Sequence, residues 1–185
     1  MAIITLGGNI GSGKTHISKK LAEYLKYEEF NVSQLFRSLA AKEGLTIDEF
    51  YPKLKHDPRL ERSIDDLQAK LFREKDNLVA QGRIAWHFAA QSPFRAVNVF
   101  LAVNPEIGAE RISDRPEYIG KNNAEIVRLI AARETEERMR YKNLYGIEDH
   151  LDPKHYNLLV DTTHLTPDEV TAAILEHSQP LVRAH

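Results

Sequence analysis

The sequence contains no cysteine in its 185 residues, and this absence excludes disulfides, thiolate metal sites and cysteine nucleophiles together. An excess of one charge is also missing, because 25 basic residues are balanced by 27 acidic ones and the formal net charge is −2. Such a balance gives no global field for nucleic acid or an anionic membrane, so we expect neither as a partner, and any polyanion site must be local. No run approaches transmembrane length and no basic leader precedes an apolar stretch, so we expect a cytoplasmic protein.

Internal repeats and low-complexity segments are absent as well. The length predicts a single domain over residues 1–185, large enough to bury a substantial core. Composition carries no signal for assembly, so a monomer is the starting expectation.

A glycine-rich stretch near the start, here called the glycine loop, is the most specific motif in the chain. It fits the pattern glycine, four residues, glycine, lysine and serine or threonine, with the residues Gly8, Asn9, Ile10, Gly11, Ser12, Gly13, Lys14 and Thr15. In this pattern backbone N–H groups surround phosphate oxygens, the lysine reaches the terminal phosphates and the hydroxyl meets Mg²⁺. The adjacent His16 is a further candidate for contact with a nucleotide. The alternative is a strand-to-helix turn that binds no ligand.

The flanking residues favour the phosphate site. The apolar run 2–6 predicts a buried strand, and 14–27 predicts a helix whose apolar positions share one face. A helix that begins directly after the loop adds free N–H groups and the positive end of its dipole beneath a bound phosphate.

The remaining chain alternates between strand and helix patterns. Further strands are predicted at 29–32, 77–80, 96–103 and 156–160, and helices at 33–43, from Thr46, at 58–75, from Pro105, at 122–141 and from Thr166. Ser33 is the expected cap of the helix at 33–43, Gly44 lies just past its end, and the buried stripe of the helix at 58–75 is expected to be Leu60, Ile64, Leu67 and Leu71. This alternation predicts an α/β fold with a mostly parallel sheet covered on both faces. The strand-free stretch 33–76 is too long for a simple crossover, so we interpret it as a helical insertion over the mouth of the phosphate site.

Several arginines occupy positions suited to a site that transfers a phosphoryl group, since guanidinium groups neutralise charge spread over phosphate oxygens. Arg83 follows a strand end, where the ligand crevice of an open parallel sheet lies. The other candidates are Arg37, Arg111, Arg115, Arg133 and Arg140. For the helix at 122–141 a second interpretation stays open, in which Glu134 with Arg138 and Glu136 with Arg140 form ordinary surface pairs.

Other polar and aromatic residues carry weaker signals. The eight histidines show no metal-binding spacing and are expected to face solvent. Trp86 and Phe88 are expected in the core. Asp65 could accept a hydrogen bond from the amino group of a base, although acids on helix surfaces are common.

Six segments in order along nearly the whole chain resemble the cytidylate kinase family, especially its short archaeal-type branch: GGNIGSGKT, VSQLFR, VAQGRIAW, AERISDR, AARETEERMRYKNLYGI and YNLLVDTTHLTPDEV. The resemblance implies a three-layer P-loop fold with a parallel five-stranded core, an acceptor-binding insertion at about 33–76 and a lid at about 112–133. It also implies that ATP with Mg²⁺ donates a phosphoryl group to CMP or dCMP.

The same resemblance assigns roles to individual residues. Lys14 and Thr15 would serve ATP and Mg²⁺, and Arg111 and Arg115 would flank the lid on the ATP side. The acceptor monophosphate would be held by Ser33, Arg37 and Arg83. Arg133 and Arg140 would come down on the phosphates when the lid closes, and Asp65 and Gln68 would read the base.

Two positions depart from the family pattern. Gln81 stands before Gly82-Arg83 where these kinases usually carry an acid, and Ile84 follows Arg83 where the longer bacterial branch carries an acid. Another kinase of this architecture, acting on a nucleoside, shikimate or dephospho-coenzyme A, therefore stays an alternative, as does a nucleotide-dependent switch or non-catalytic binder. A GTPase is disfavoured, because neither Lys121 nor Lys142 lies in an Asn-Lys-x-Asp motif.

Overall fold

The computed structural model describes residues 2–45, 49–50 and 58–182, without the side chains of 58–63 and 180–182. The strands are β1 (Ile3–Gly8), β2 (Glu28–Asn31), β3 (Leu78–Gln81), β4 (Ala96–Ala102) and β5 (Leu158–Asp161). The helices are α1 (Lys14–Leu25), α2 (Val32–Lys42), α3 (Pro58–Glu74), α4 (Ala85–Ala89), α5 (Pro105–Glu110), α6 (Asn123–Tyr145) and α7 (Pro167–Val182). The helix start predicted at Thr46 lies outside the described residues.

The five strands form one parallel sheet in the order β2-β3-β1-β4-β5, which confirms the predicted sheet. Strand β1 is central and fully buried, with Ile3 opposite Leu78 of β3 on one side and Ala96 of β4 on the other. Because successive side chains point to opposite faces, Ile3 packs on one side of the sheet and Ile4 on the other.

Helices cover both faces, so the fold has three layers as predicted. On one face α1 and α7 contribute Leu21 and Ile174 to a core that includes Ile4. On the other face α3, α4 and α6 contribute residues such as Phe72, Phe88 and Tyr141. The carboxyl ends of the strands therefore meet at one edge of a rigid sheet, where parallel α/β folds bind ligands.

Two details of the predicted insertion are wrong. Helix α2 begins at Val32, one residue earlier than expected, and its cap is Asn31, whose Oδ1 accepts a hydrogen bond from Gln34 N at 3.1 Å. In α3 the side chain of Leu67 is exposed, with 48% of its surface accessible, whereas Ile64, Gln68 and Phe72 are buried at steps of four residues. The buried face of α3 is therefore rotated slightly from the predicted one, since it includes Gln68 and Phe72 and leaves out Leu67.

The segment predicted as the lid has a small apolar cluster of its own. Ile112, Tyr118, Ile126 and Ile130 pack with Ile10 of the glycine loop. Helix α6 starts from a capping box between Asn122 and Glu125 and runs to Tyr145, beyond the predicted end at 141. Among the described helices, none has the length and apolar character needed to cross a lipid bilayer.

Candidate functional site

The glycine loop is shaped by backbone conformations and close contacts that other residues would disturb. Gly8 and Gly11 have φ angles of +124° and +83°, and a Cβ at either would collide with a backbone carbonyl, that of Leu101 or of Gly108. Gly13, with φ of +85°, precedes α1 and provides no side-chain cap. The first N–H groups of α1 therefore remain directed into the loop, which is the arrangement that binds phosphate at a helix start.

The lysine of the motif lies across the loop. Lys14 Nζ donates hydrogen bonds to Gly8 O at 3.0 Å, Asn9 O at 2.5 Å and Ser12 Oγ at 3.2 Å. Burial and the positive charge of Arg83 lower the pKa of Lys14 well below its usual value. A bound polyanion would favour the charged form of this lysine, so the site is electrostatically suited to phosphate.

Thr15, in the first turn of α1, contacts Gln81 at the end of β3. Gln81 Nε2 lies 3.2 Å from Thr15 Oγ1, and Gln81 Oε1 lies 3.3 Å from the same atom. Mg²⁺ prefers oxygen ligands, keeps several waters and binds largely through substrate phosphates, so one hydroxyl and one amide oxygen fit it without a protein cage. The described residues contain no cluster of three or more His, Cys, Asp or Glu side chains that could hold a metal ion.

Arg83 and Arg133 meet at a shared carboxylate, that of Glu137 on α6. Arg83 Nε forms an ion pair with Glu137 Oε2 at 3.0 Å, and Arg133 Nε donates to Glu137 Oε1 at 3.2 Å. Burial alone would raise the pKa of Glu137, but Arg83, His150 and Arg133 outweigh it and lower the value to about 2. Glu137 is therefore ionised at neutral pH. Sequence reasoning did not single it out, although its position four residues after Arg133 was a usable signal.

His150 corrects the prediction that the histidines face solvent. His16 is exposed as expected, but the side chain of His150 is completely buried, with its Nε2 3.7 Å from Glu137 Oε2. The hydroxyl of Tyr156 donates to the main-chain carbonyl oxygen of His150 at 2.9 Å, which anchors the backbone at His150.

Arg138, for which the sequence suggested a pair with Glu134, has a partner outside α6. Arg138 forms an ion pair with Asp149 at 3.2 Å, so this arginine is anchored to the segment after α6. Arg140 lies with its guanidinium carbon 5.4 Å from the centroid of the Tyr141 ring. Its role at the phosphates stays a prediction.

Three arginines from different elements influence one another electrostatically. Burial and the charges of Arg37 and Arg133 lower the pKa of Arg115, against an opposing effect of Glu117. Ser33 and Arg37 are exposed, four residues apart on α2. Like charges on α2, on the segment after α5 and on α6 are suited to an anion bound among them.

Arg111 contacts the segment after β5. Its guanidinium donates to Thr162 O at 2.8 Å and Thr163 O at 3.1 Å, and Thr162 Oγ1 in turn lies 3.3 Å from Ser12 O in the glycine loop. These contacts secure the wall beside the loop, and the predicted contact of Arg111 with the nucleotide stays a prediction.

The two predicted base-reading residues lie together with a third that the sequence did not indicate. Gln68 Nε2 donates to Asp65 Oδ1 at 3.4 Å, and the hydroxyl of Tyr145 donates to the other oxygen of Asp65. The Tyr145 ring in turn lies against His87, with ring centroids 5.3 Å apart. Phe88 is buried in the core as predicted, whereas Trp86 is only half-buried and stacks on His155 with 3.8 Å between ring centroids.

Comparison with known proteins gives consistent matches. The family model described as "Cytidylate kinase-like family" matches residues 3–164. The cytidylate kinase of Methanocella arvoryzae is 35% identical over 182 residues, covering 98% of this chain and 99% of that protein. The S-adenosylmethionine-dependent nucleotide dehydratase of Lacinutrix mariniflava is 35% identical over 179 residues, which is 95% of this chain but 36% of the length of that protein.

Among solved structures, the shikimate kinase of Bacteroides thetaiotaomicron superposes with a TM-score of 0.65. The two sequences are 15% identical, and the match covers 96% of this chain and 98% of the other. At this identity the likeness shows the fold alone.

Proposed function

The chain belongs to the cytidylate kinase-like family, and from this membership we propose that it transfers the γ-phosphate of ATP to a nucleoside monophosphate, with CMP or dCMP as the acceptor. The proposal treats the glycine loop as the donor half of a two-substrate site and the arginine cluster beside it as the acceptor half.

One observation carries this proposal. Lys14 Nζ and Arg83 Nη1 both donate to the carbonyl oxygen of Gly8, at 3.0 Å and 3.1 Å. The lysine assigned to the donor phosphates and the arginine assigned to the acceptor phosphate therefore converge on a single atom. A phosphoryl group passing between donor and acceptor needs cations on both sides of its path, and this convergence supplies them.

The proposed mechanism relies on positioning and electrostatics, because phosphoryl transfer requires little covalent chemistry from the protein. The N–H groups of the glycine loop and Lys14 hold the donor phosphates, with Arg115 beside them. Ser33, Arg37 and Arg83 hold the acceptor phosphate, and Arg133 and Arg140 neutralise charge during transfer. Mg²⁺ held by Thr15 would supply further neutralisation of the phosphate oxygens when bound.

The base preference rests on Asp65. An ionised carboxylate only accepts hydrogen bonds, and Asp65 is oriented by donors from Gln68 and Tyr145. It therefore favours a base that presents an amino group at the contact, as cytosine does, over uracil, which presents a carbonyl at the equivalent position. This supports CMP and dCMP over UMP.

The proposal is tested by measuring ATP consumption with CMP, dCMP, UMP, AMP, GMP and shikimate as separate acceptors. We expect turnover with CMP or dCMP, weaker turnover with UMP and none with shikimate. Tight ATP binding without turnover of any monophosphate would reject the kinase function. Turnover of AMP or GMP above that of CMP would reject the cytosine preference alone.

A further inference from the structure

Glu137 is buried although it carries a charge. Its side chain is only 13% exposed, and the side chain of Arg83 beside it is 17% exposed. Removing ionised groups from water is costly unless their partners compensate, so a carboxylate in this position depends on the cations around it. This distinguishes Glu137 from the exposed acids of the same helix, such as Glu136.

The carboxylate joins elements that are distant in sequence. One oxygen is bound to Arg133, one turn earlier on α6, and the other lies against Arg83, in the turn between β3 and α4. His150, from the segment between α6 and β5, approaches the second oxygen at 3.7 Å. Glu137 is thus the point where α6 is tied to the carboxyl end of the sheet.

The atoms used by the arginines are informative. Both contacts to Glu137 are made by Nε, the donor nearest the main chain. Arg83 at the same time directs Nη1 to Gly8 O at the first residue of the glycine loop. Among the described residues Glu137 Oε2 accepts no hydrogen bond, so its contact with Arg83 is an ion pair, and the directed bond from Arg83 is the one from Nη1 to Gly8 O. The ion pair and this bond together keep the Arg83 guanidinium beside the glycine loop, where a phosphate-binding arginine is needed.

We propose that Glu137 is a positioning residue that holds Arg133 by its Nε–H and keeps Arg83 beside the glycine loop through an ion pair, so that the Arg83 guanidinium is in place for the acceptor phosphate. This inference rests on the proposed function. Glu137 does not contact substrate itself. It screens the repulsion between the two guanidinium groups and Lys14, and it keeps the Arg83 guanidinium at the glycine loop before the acceptor arrives.

Replacing the carboxylate by its isosteric amide tests the idea. Glu137→Gln keeps the shape but removes the charge, and its NH₂ group would face either the Arg133 Nε–H donor or the Arg83 guanidinium. We expect CMP binding measured by titration calorimetry to weaken about tenfold or more, while ATP binding changes by less than about threefold. An exposed acid on α7 provides the control, and Glu176→Gln should leave both affinities unchanged.

A double-mutant cycle separates positioning from a purely structural effect. If Glu137 acts through Arg83, Glu137→Gln should weaken CMP binding by less than about threefold in an Arg83→Ala background, because the group that it orients is gone. Equal weakening in both backgrounds would overturn the inference, as would equal losses of CMP and ATP affinity. Steady-state kinetics should show the same split, with a raised KM for CMP and an unchanged KM for ATP.

Two further outcomes are decisive. If Glu137→Gln does not fold, as judged by circular dichroism, Glu137→Asp takes its place, since it keeps the charge but is too short to reach both arginines. We expect this variant to lose CMP affinity selectively, and full CMP affinity would contradict the inference. If the wild-type protein neither binds nor phosphorylates any monophosphate, the proposed function itself has failed, whereas an active wild type with an unaffected Glu137→Gln variant rejects only the role of Glu137.

Discussion

Removal of the Arg83 guanidinium is the substitution that most sharply separates acceptor binding from donor binding. Arg83→Ala deletes the group that contacts Gly8 O at 3.1 Å and Glu137 Oε2 at 3.0 Å. The main chain of the glycine loop and Lys14 stay in place, because the loop is shaped by glycine conformations and by contacts with β4 and α5. We therefore expect acceptor phosphorylation to fall much more than ATP binding.

The size of the effect follows from the bonds lost. A guanidinium that grips a phosphate through two charge-assisted hydrogen bonds contributes about 1.5–3 kcal/mol for each, or about 3–6 kcal/mol together. At about 1.4 kcal/mol for each factor of ten, kcat/KM for CMP should fall roughly 10²- to 10⁴-fold. The ion pair with Glu137 is also lost, so we expect the free energy of unfolding to fall by about 3–5 kcal/mol.

The assay compares kcat/KM for CMP with the dissociation constant for ATP, at a temperature where circular dichroism shows the variant to be folded. Arg138→Ala is the matched control, because this arginine pairs with Asp149 on the exposed side of α6. It should leave both quantities within about twofold of the wild-type values, since exposed ion pairs contribute little. Equal losses of CMP turnover and ATP affinity in Arg83→Ala would refute the assignment of Arg83 to the acceptor.

Three further predictions concern the metal, the loop and pH. Gln81→Glu places a negative charge beside Thr15 Oγ1, so we expect Mn²⁺ to bind about tenfold more tightly in the presence of a non-hydrolysable ATP analogue. Electron paramagnetic resonance measures the bound Mn²⁺. Unchanged affinity would argue against a metal at this position. In Gly11→Ala a φ of +83° combines with a collision against Gly108 O, so this variant should lose ATP binding and about 3 kcal/mol or more of unfolding free energy. The control is Gly44→Ala, where φ is +70° but the space around the residue is open. It should lose only about 1 kcal/mol of unfolding free energy and keep its ATP affinity. The pKa of Glu137, lowered from 4.5 to about 2, gives stability that is present above about pH 4.5 and is lost as pH falls towards 2. The shift corresponds to about 3 kcal/mol, so urea unfolding of Glu137→Gln should depend less on pH between about 5.5 and 3 than that of the wild type, and parallel profiles would contradict the buried ion pair.

The fold was largely predictable because its signals are local. The glycine loop, the strand before it and the helix after it are encoded in consecutive residues, and β3, β4 and β5 are short, largely apolar runs. Strand β2, with the sequence EEFN, carries a much weaker signal. Capping was less predictable, since Asn31 and Ser33 are both good cap residues two positions apart. The side chains of Asn31 and Ser33 alone do not determine which one caps α2. The helix starts directly after β2, so Asn31, the last residue of that strand, becomes the cap.

The site was only partly predictable because its partners are distant in sequence. Glu137 lies in a highly charged run with Glu134 and Glu136, and the three acids look alike in sequence apart from the spacing of Glu137 from Arg133. The approach of Arg83 from the end of β3 is what identifies Glu137 as the carboxylate shared by two arginines. Tyr145 is similar, because nothing near it in sequence indicates that its hydroxyl reaches Asp65 on α3.

The burial of His150 was also not predictable from its sequence neighbours. Three acids, Glu148, Asp149 and Asp152, lie within two residues of it, which favours an exposed position, yet its side chain is completely buried beside Glu137. The roles of the remaining arginines at the phosphates stay predictions, since they depend on where the substrates lie.

Transfer of labelled phosphate tests the central claim most directly. The protein is incubated with ATP labelled at the γ-phosphate, Mg²⁺ and CMP, and the products are separated by chromatography. We predict that the label appears in CDP, in amounts that match the ADP formed. Label recovered in inorganic phosphate, or retained in ATP while CMP is unchanged, would contradict a two-substrate site built on the glycine loop and Arg83.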